Sequence, residues 1–161
     1  MVSLTDYLPA IPTQYWSHYL KLVVPPKVIV VPPNTSDIGI LPASIADRKG
    51  LFVQFSISVN NPALEFTITI DGINHTGVLS TIKDAGLVGY YVPNVPWLSV
   101  YNTTNNIYVA NLIADPFIPF NSDLNVTVAN PTTSNITITG MAAEAYILNP
   151  GFYEALKKVM S

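Results

Sequence analysis

The side chains able to do chemistry are few in this chain, and their spacing does not gather them. His18 and His75 stand in unrelated segments, and there is no cysteine. A zinc or iron site needs clustered His, Cys or carboxylate ligands at short helical or loop spacings, so each histidine reads as a lone surface or half-buried side chain. Asp71-Gly72-Ile73-Asn74 shares its first residues with a calcium loop but lacks the acidic ladder and closing Glu, and it reads as a hairpin turn. Asp115 and Asp123 flank an apolar connection where a cation would find two carboxylates. Glu65 and Glu144 are the one pair on strand-like segments that a glycosidase mechanism would use, provided the fold sets them across a cleft. Nucleophile-elbow, phosphate-loop and HExxH patterns are absent. The expectation is a protein that is not an enzyme and holds no cofactor and no metal.

Two further sets of residues have a spacing that invites function. Tyr90, Tyr91, Trp97 and Tyr101 crowd a segment broken by Gly86, Gly89, Pro93 and Pro96, and aromatic faces of this kind stack on sugars or fill a core near a bend. Asn34, Asn74, Asn102, Asn125 and Asn135 each begin an Asn-x-Ser/Thr triplet, whereas Asn130 is followed by Pro131. Such triplets are acceptors for N-glycosylation where a host supplies the machinery, and they arise by chance in a chain this rich in Asn and Thr.

The composition bounds what these residues serve. With 161 residues the chain is one domain with room for a substantial core. Hydrophobic residues make up 49% and charged ones only 11%, against roughly 25% charged in ordinary soluble domains. Much of the surface is therefore neutral Asn, Thr and Ser, or is covered by other chains. A net charge of -3 and the lack of any basic cluster beyond Arg48-Lys49 or Lys157-Lys158 exclude a nucleic-acid footprint. The first residues carry neither a basic nor an uninterrupted apolar leader, so the expectation is synthesis and assembly inside a cell. Pro25, Pro26 and Lys27 break the most apolar early run, which cannot span a bilayer as a helix.

Period-two alternation sets the elements. Val53, Phe55, Ile57 and Val59 alternate with polar residues, as do Leu64, Phe66, Ile68 and Ile70, and Asn60-Asn61-Pro62-Ala63 between them reads as a hairpin turn. Leu124, Val126 and Val128, then Ile136 and Ile138, repeat the pattern around a polar turn at Pro131 and read as a strand pair. Further strands are expected at 23–31, 76–82, 97–101 and 107–114, with 34–50 mainly loop and 115–120 a rigid connection. Ser3 and Thr13 are placed to cap short helices, the second over 14–20. Tyr7, Tyr15, Trp16 and Tyr19 form an aromatic arm that packs on its own barrel or docks on a neighbour. Asn149-Pro150 starts a terminal amphipathic helix that gathers Phe152 and Leu156 on one face, a second candidate contact. The sum is an all-β chain: an N-terminal arm (1–22), an eight-stranded jelly-roll β-sandwich (23–148) and a short terminal helix (149–161).

The Pro-Phe connection, Asn121-Ser122-Asp123-Leu124-Asn125-Val126-Thr127-Val128-Ala129-Asn130 and Asn135-Ile136-Thr137-Ile138-Thr139-Gly140 together resemble the closing strands of single jelly-roll capsid proteins of icosahedral phages and archaeal viruses with an internal membrane. The pattern extends over roughly two-thirds of the chain and carries no single diagnostic motif. The resemblance implies a virion structural protein whose subunits stand upright and pack laterally. Its partners would be copies of itself or other capsid subunits and, through a terminus, the viral membrane. Abundant Ile, Tyr, Asn, Thr and Pro without Cys would also suit a heat-exposed virus. Two other classes fit the same strands. One is a carbohydrate-binding or adhesive sandwich using Tyr90, Tyr91, Trp97 and Tyr101. The other is an extracellular filament subunit that donates residues 1–33 as a strand.

Overall fold

The computed structural model describes residues 15–41, 45, 48–149, 151, 154 and 158. Ten strands and one short helix occupy them: β1 (Trp16–Val23), β2 (Ile29–Val31), β3 (Thr35–Gly39), β4 (Gly50–Val59), β5 (Glu65–Ile70), β6 (Ile73–Val78), α1 (Leu79–Asp84), β7 (Trp97–Asn102), β8 (Ile107–Phe120), β9 (Leu124–Asn130) and β10 (Ile136–Leu148). They build two antiparallel sheets packed as a β-sandwich. The six-stranded sheet runs β1-β10-β4-β8-β7, with β2 also on β10, and the four-stranded sheet runs β3-β9-β5-β6.

The alternating segments bury the faces that their patterns predict. Phe66, Ile68 and Ile70 from β5, Leu124, Val126 and Val128 from β9, and Ile136 and Ile138 from β10 all lie in the core. Phe55 of β4 meets Phe66 of β5 across the two sheets, with ring centroids 5.7 Å apart. One phase differs. A bulge against β8 between Phe52 and Gln54 lets both Phe52 and Phe55 point inward and leaves Val53, expected inside, half-buried.

The pairing of the strands departs from expectation in an instructive way. β4 and β5, and likewise β9 and β10, are consecutive yet lie in different sheets. The turns at 60–63 and 131–135 are therefore crossings from one layer to the other, not hairpins. Hairpins close instead at 103–106, between β7 and β8, and at Asp71-Gly72, where Ile70 pairs with Ile73 and both turn residues have positive φ (50° and 79°). Only a type I′ geometry asks for that at both positions, and glycine meets it without strain.

Several segments are corrected. Residues 16–20, expected as the body of a short helix, are strand, because β1 pairs with β10 from Trp16 opposite Leu148 to Val23 opposite Met141. The stretch 34–50, read as loop, contains β3. β6 ends at Val78 and the chain turns into α1, whose Leu79 and Ile82 cap one end of the core. β8 does not stop before Asp115 but continues to Phe120. Gly151, Glu154 and Lys158 have helical backbone, in the segment where a terminal helix is expected. The proposed arm before residue 15, with Tyr7, and the side chains of Phe152 and Leu156 lie outside the described residues.

Candidate functional site

The outer face of the six-stranded sheet is crossed by short polar ladders. Glu144 of β10 accepts from Gln54 Nε2 of β4 at 2.7 Å, and its other oxygen lies 2.9 Å from His18 Nε2 of β1. One row away, Ser56 donates to Asn111 Oδ1 at 2.6 Å and Asn111 Nδ2 donates to Ser99 Oγ at 3.1 Å, so β4, β8 and β7 are linked by neutral groups. The register produces this, since Glu144 faces Gln54 and Ser56 faces Asn111. Beside the ladders, Tyr146 contacts both His18 (5.1 Å between centroids) and Phe117 (6.3 Å).

Next to this polar strip the same face turns apolar. Gly140 has no side chain, and over it opens a depression of about 280 Å³ lined by Leu22, Val24, Ser58, Val109, Met141 and Ala142 among others. Along the sheet's edge Leu20, Leu22, Val24, Val28 and Val30 are all exposed. The alternation of β1 carries little sign of this: Trp16 and Tyr19 are half-buried, Ser17, His18, Leu20, Lys21 and Leu22 are exposed, and only Val23 is buried. Sequence reasoning therefore singled out the aromatics of this strand and missed its leucines.

The outer face of the smaller sheet has a different character. Thr67 stands between Thr76 and Thr127, and Thr69 between Asn74 and Asn125. Thr67 and Thr76 share a hydrogen bond of 3.0 Å, and Thr69 donates to Asn74 at 2.8 Å. Asn74 and Asn125, two of the acceptor triplets, thus flank one threonine on this face. Asn34 and Asn135 are exposed at turns, and Asn102 closes a turn by accepting from the backbone N–H of Thr104 and Asn105. On the six-stranded sheet Asn102 ends β7 opposite the exposed Ile107. Glu65 also projects from the smaller sheet, opposite Ala129 and Val78, so the whole sandwich separates it from Glu144 and the two carboxylates do not form a pair.

Each remaining acidic candidate already has a partner. Asp71 accepts from the backbone N–H of Asn121, Ser122 and Asp123 and from the Ser122 hydroxyl, at 2.8 to 3.3 Å. Partial burial works to raise its pKa, but these backbone and hydroxyl donors outweigh it and hold the carboxyl below its ordinary value. The residue that resembled a calcium ligand is a clamp between the β5–β6 and β8–β9 turns. Asp115 is met by Asn94, which bonds both its backbone N–H and its carbonyl, and by Tyr91 Oη at 3.4 Å. Asp115 and Asp123 belong to these two separate networks. Among the described residues no group of three or more His, Asp or Glu side chains is placed to hold a metal ion, and no helix is long and apolar enough to cross a membrane.

The aromatic segment is divided by β7. Tyr90 and Tyr91 are exposed, and Tyr91 meets Trp97 edge-on at 6.0 Å. The Tyr91 phenol is pushed up by desolvation and by the neighbouring Asp115 carboxylate. Tyr101 pairs in register with the buried Tyr108, packs edge-on against it at 4.8 Å and lies under Lys83 Nζ, so it joins the core side and not the platform. Of the arm aromatics, Tyr19 is half-buried against the core with its hydroxyl unpartnered, and Tyr15 and Trp16 are half-buried at the strand's start. No protein-family profile matches the chain, and no curated protein is significantly similar to it.

Proposed function

We propose that the chain is a virion structural protein, a jelly-roll capsid subunit that tiles laterally with copies of itself or with other capsid subunits. The strand order carries this reading. Counting β1 and β2 as one bent strand and setting β7 aside leaves eight, in the order first-eighth-third-sixth facing second-seventh-fourth-fifth. Read in that way, the order supports two interleaved Greek keys of the kind found in the jelly rolls of capsid and lectin domains. The outer faces support a role in contact: hydroxyl and amide rows on one sheet, neutral ladders and exposed aliphatics on the other, with little charge to repel a neighbour. Light scattering on the purified protein, with electron microscopy and mass spectrometry of purified particles, tests the proposal. Closed shells or ring assemblies containing the chain are expected, and a strictly monomeric protein absent from particles would sink it.

A second reading, an adhesive head that binds carbohydrate, has one observation in its favour. Tyr90 is 72% exposed beside the Tyr91–Trp97 pair and the Asp115 carboxylate, which together offer ring faces and an acceptor to a sugar. A glycan array probed with the intact chain and with Tyr90→Ala and Tyr91→Ala decides it. Binding that vanishes in both variants supports the adhesive head, and no binding removes it.

A further inference from the structure

Sheet edges are templates for another chain's strand, and folded proteins blunt them with shortness, bulges, proline or cover. The edges of this sandwich can be compared on that basis. β7 is covered: Leu98 donates to the Leu87 carbonyl and accepts from Gly89, so the 87–89 segment lies along it. β3 has five residues and a bulge between Thr35 and Ile38, with Asp37 at positive φ. β6 has six residues with Gly77 inside it. β2 has three, between Pro25-Pro26 and Pro32-Pro33.

Among the described residues β1 has none of these protections. It runs for eight residues without proline or bulge, it ends the order of its sheet, and among the described residues no strand lies on its other side. Leu20 and Leu22 are 47% and 54% exposed on it. Lys21 is its one lysine, arginine or carboxylate side chain, and His18 lies 2.9 Å from Glu144.

We propose that β1 is a self-docking edge: a second copy of this chain pairs its own β1 antiparallel to it about a two-fold axis at Leu20, joining the two larger sheets into one. The inference rests on the assembling-subunit reading above and names the surface that makes the contact. Face and charge limit the register, and of the two central axes they allow, at Tyr19 and at Leu20, only the second opposes two leucines. For the joined sheet to keep one outer face, outward residues must meet outward residues, so the sum of paired numbers is even. Centring on Lys21 would set two ammonium groups against each other, a like-charge pair directly across a strand. Centring on Leu20 sets Leu20 against the partner's Leu20, Leu22 against the partner's His18, and Lys21 against the partner's Tyr19, where a cation meets a ring. The strand's charge and apolar pattern is thus complementary to itself, which is what an isologous contact requires.

The cysteine-free chain makes the test direct. Directly opposed residues in an antiparallel pair have Cβ atoms about 4.5–5.5 Å apart, close to disulfide reach. The full chain carrying Leu20→Cys should cross-link under mild oxidation at least about tenfold faster than Ile73→Cys, a control that is 65% exposed on the other sheet. In the unaltered protein, amide exchange at β1 should slow as concentration rises, a readout that needs no variant. If light scattering shows oligomers while Leu20→Cys cross-links no faster than the control and β1 exchange ignores concentration, the edge is wrong and the capsid reading stands. A protein that stays monomeric at every concentration overturns both.

Discussion

Asp71 shows how a residue chosen for its chemistry can serve the fold. Its carboxylate collects donors from three successive backbone N–H groups and a hydroxyl, tying the β5–β6 turn to the β8–β9 turn. Asn tolerates the same positive φ, so Asp71→Asn removes the charge and little else. That variant should lose about 1–2 kcal/mol, the scale of charge-assisted hydrogen bonds set against solvent exposure, measured by urea denaturation at neutral pH. The pH dependence has a definite sign. The folded pKa lies below the ordinary value of 3.8, so this stabilisation is complete above that value and fades as pH falls through the lower folded pKa. Asp71→Asn should therefore flatten the acid limb of the stability curve below about pH 4. A steep limb unchanged by the substitution would show that other carboxylates dominate it.

Asn130 is the buried counterpart. It is fully enclosed at the end of β9, donating to the carbonyls of Val31 and Ser134 and accepting from the backbone N–H and hydroxyl of Thr132. All its hydrogen-bonding capacity is used, and it joins β2, β9 and the crossing turn at one point. Asn130→Ala would leave several of these groups unpaired in the interior and should cost about 2–3 kcal/mol by equilibrium unfolding. Asn130→Asp should be no better, because it cannot donate to the two carbonyls unless protonated.

At the scale of elements, what was legible was which face of a strand turns inward; what was not was its neighbour. Period two in 64–70 and 124–128 identified the buried residues because a half-buried strand writes its environment into alternate positions. Nothing in that pattern records the sheet to which the strand belongs. A four-residue connection such as Asn60–Ala63 serves a hairpin or a crossing equally, and here Asn60 Oδ1 accepts from Thr137 N–H of β10, a contact distant in sequence. β1 escaped notice for the opposite reason: an edge exposed on both faces does not alternate. β8 was cut short at its prolines because a bulge that re-aims a strand leaves no local signature. The candidate site suffered most, since the Glu144–Gln54–His18 network joins three strands far apart in the chain.

Where β4, β8 and β10 begin and end together, the sheet packs so closely that one element boundary depends on a missing side chain. A Cβ on Gly50 would lie 2.1 Å from the Tyr146 carbonyl oxygen and 2.6 Å from the Phe120 ring. The carbonyl belongs to the neighbouring strand and cannot move without breaking register. Gly50→Ala should cost about 3 kcal/mol, visible as a lowered melting temperature and as faster exchange in β4 and β10. Gly39→Ala, where the added atom meets nothing within 4 Å, is the control and should change little.

For the whole molecule, the sparse charge has a consequence that separates this kind of contact from an electrostatic one. With a net charge of -3 and 11% charged residues, copies repel each other weakly and have few ion pairs to exchange. A contact made of strand hydrogen bonds, Leu20 against the partner's Leu20, and a lysine over a ring depends little on long-range fields. Raising salt from about 0.05 to 1 M shortens the Debye length from over 10 Å to about 3 Å, enough to dissolve an interface held by opposed charges. Self-association of this chain should instead change by less than about threefold over that range and should strengthen in sulfate, which is excluded from apolar surface. Sedimentation velocity at matched protein concentration across a sodium chloride series reads this directly. Association that collapses with salt would mean that charged groups outside β1 hold the copies together, and would move the contact away from the larger sheet's edge.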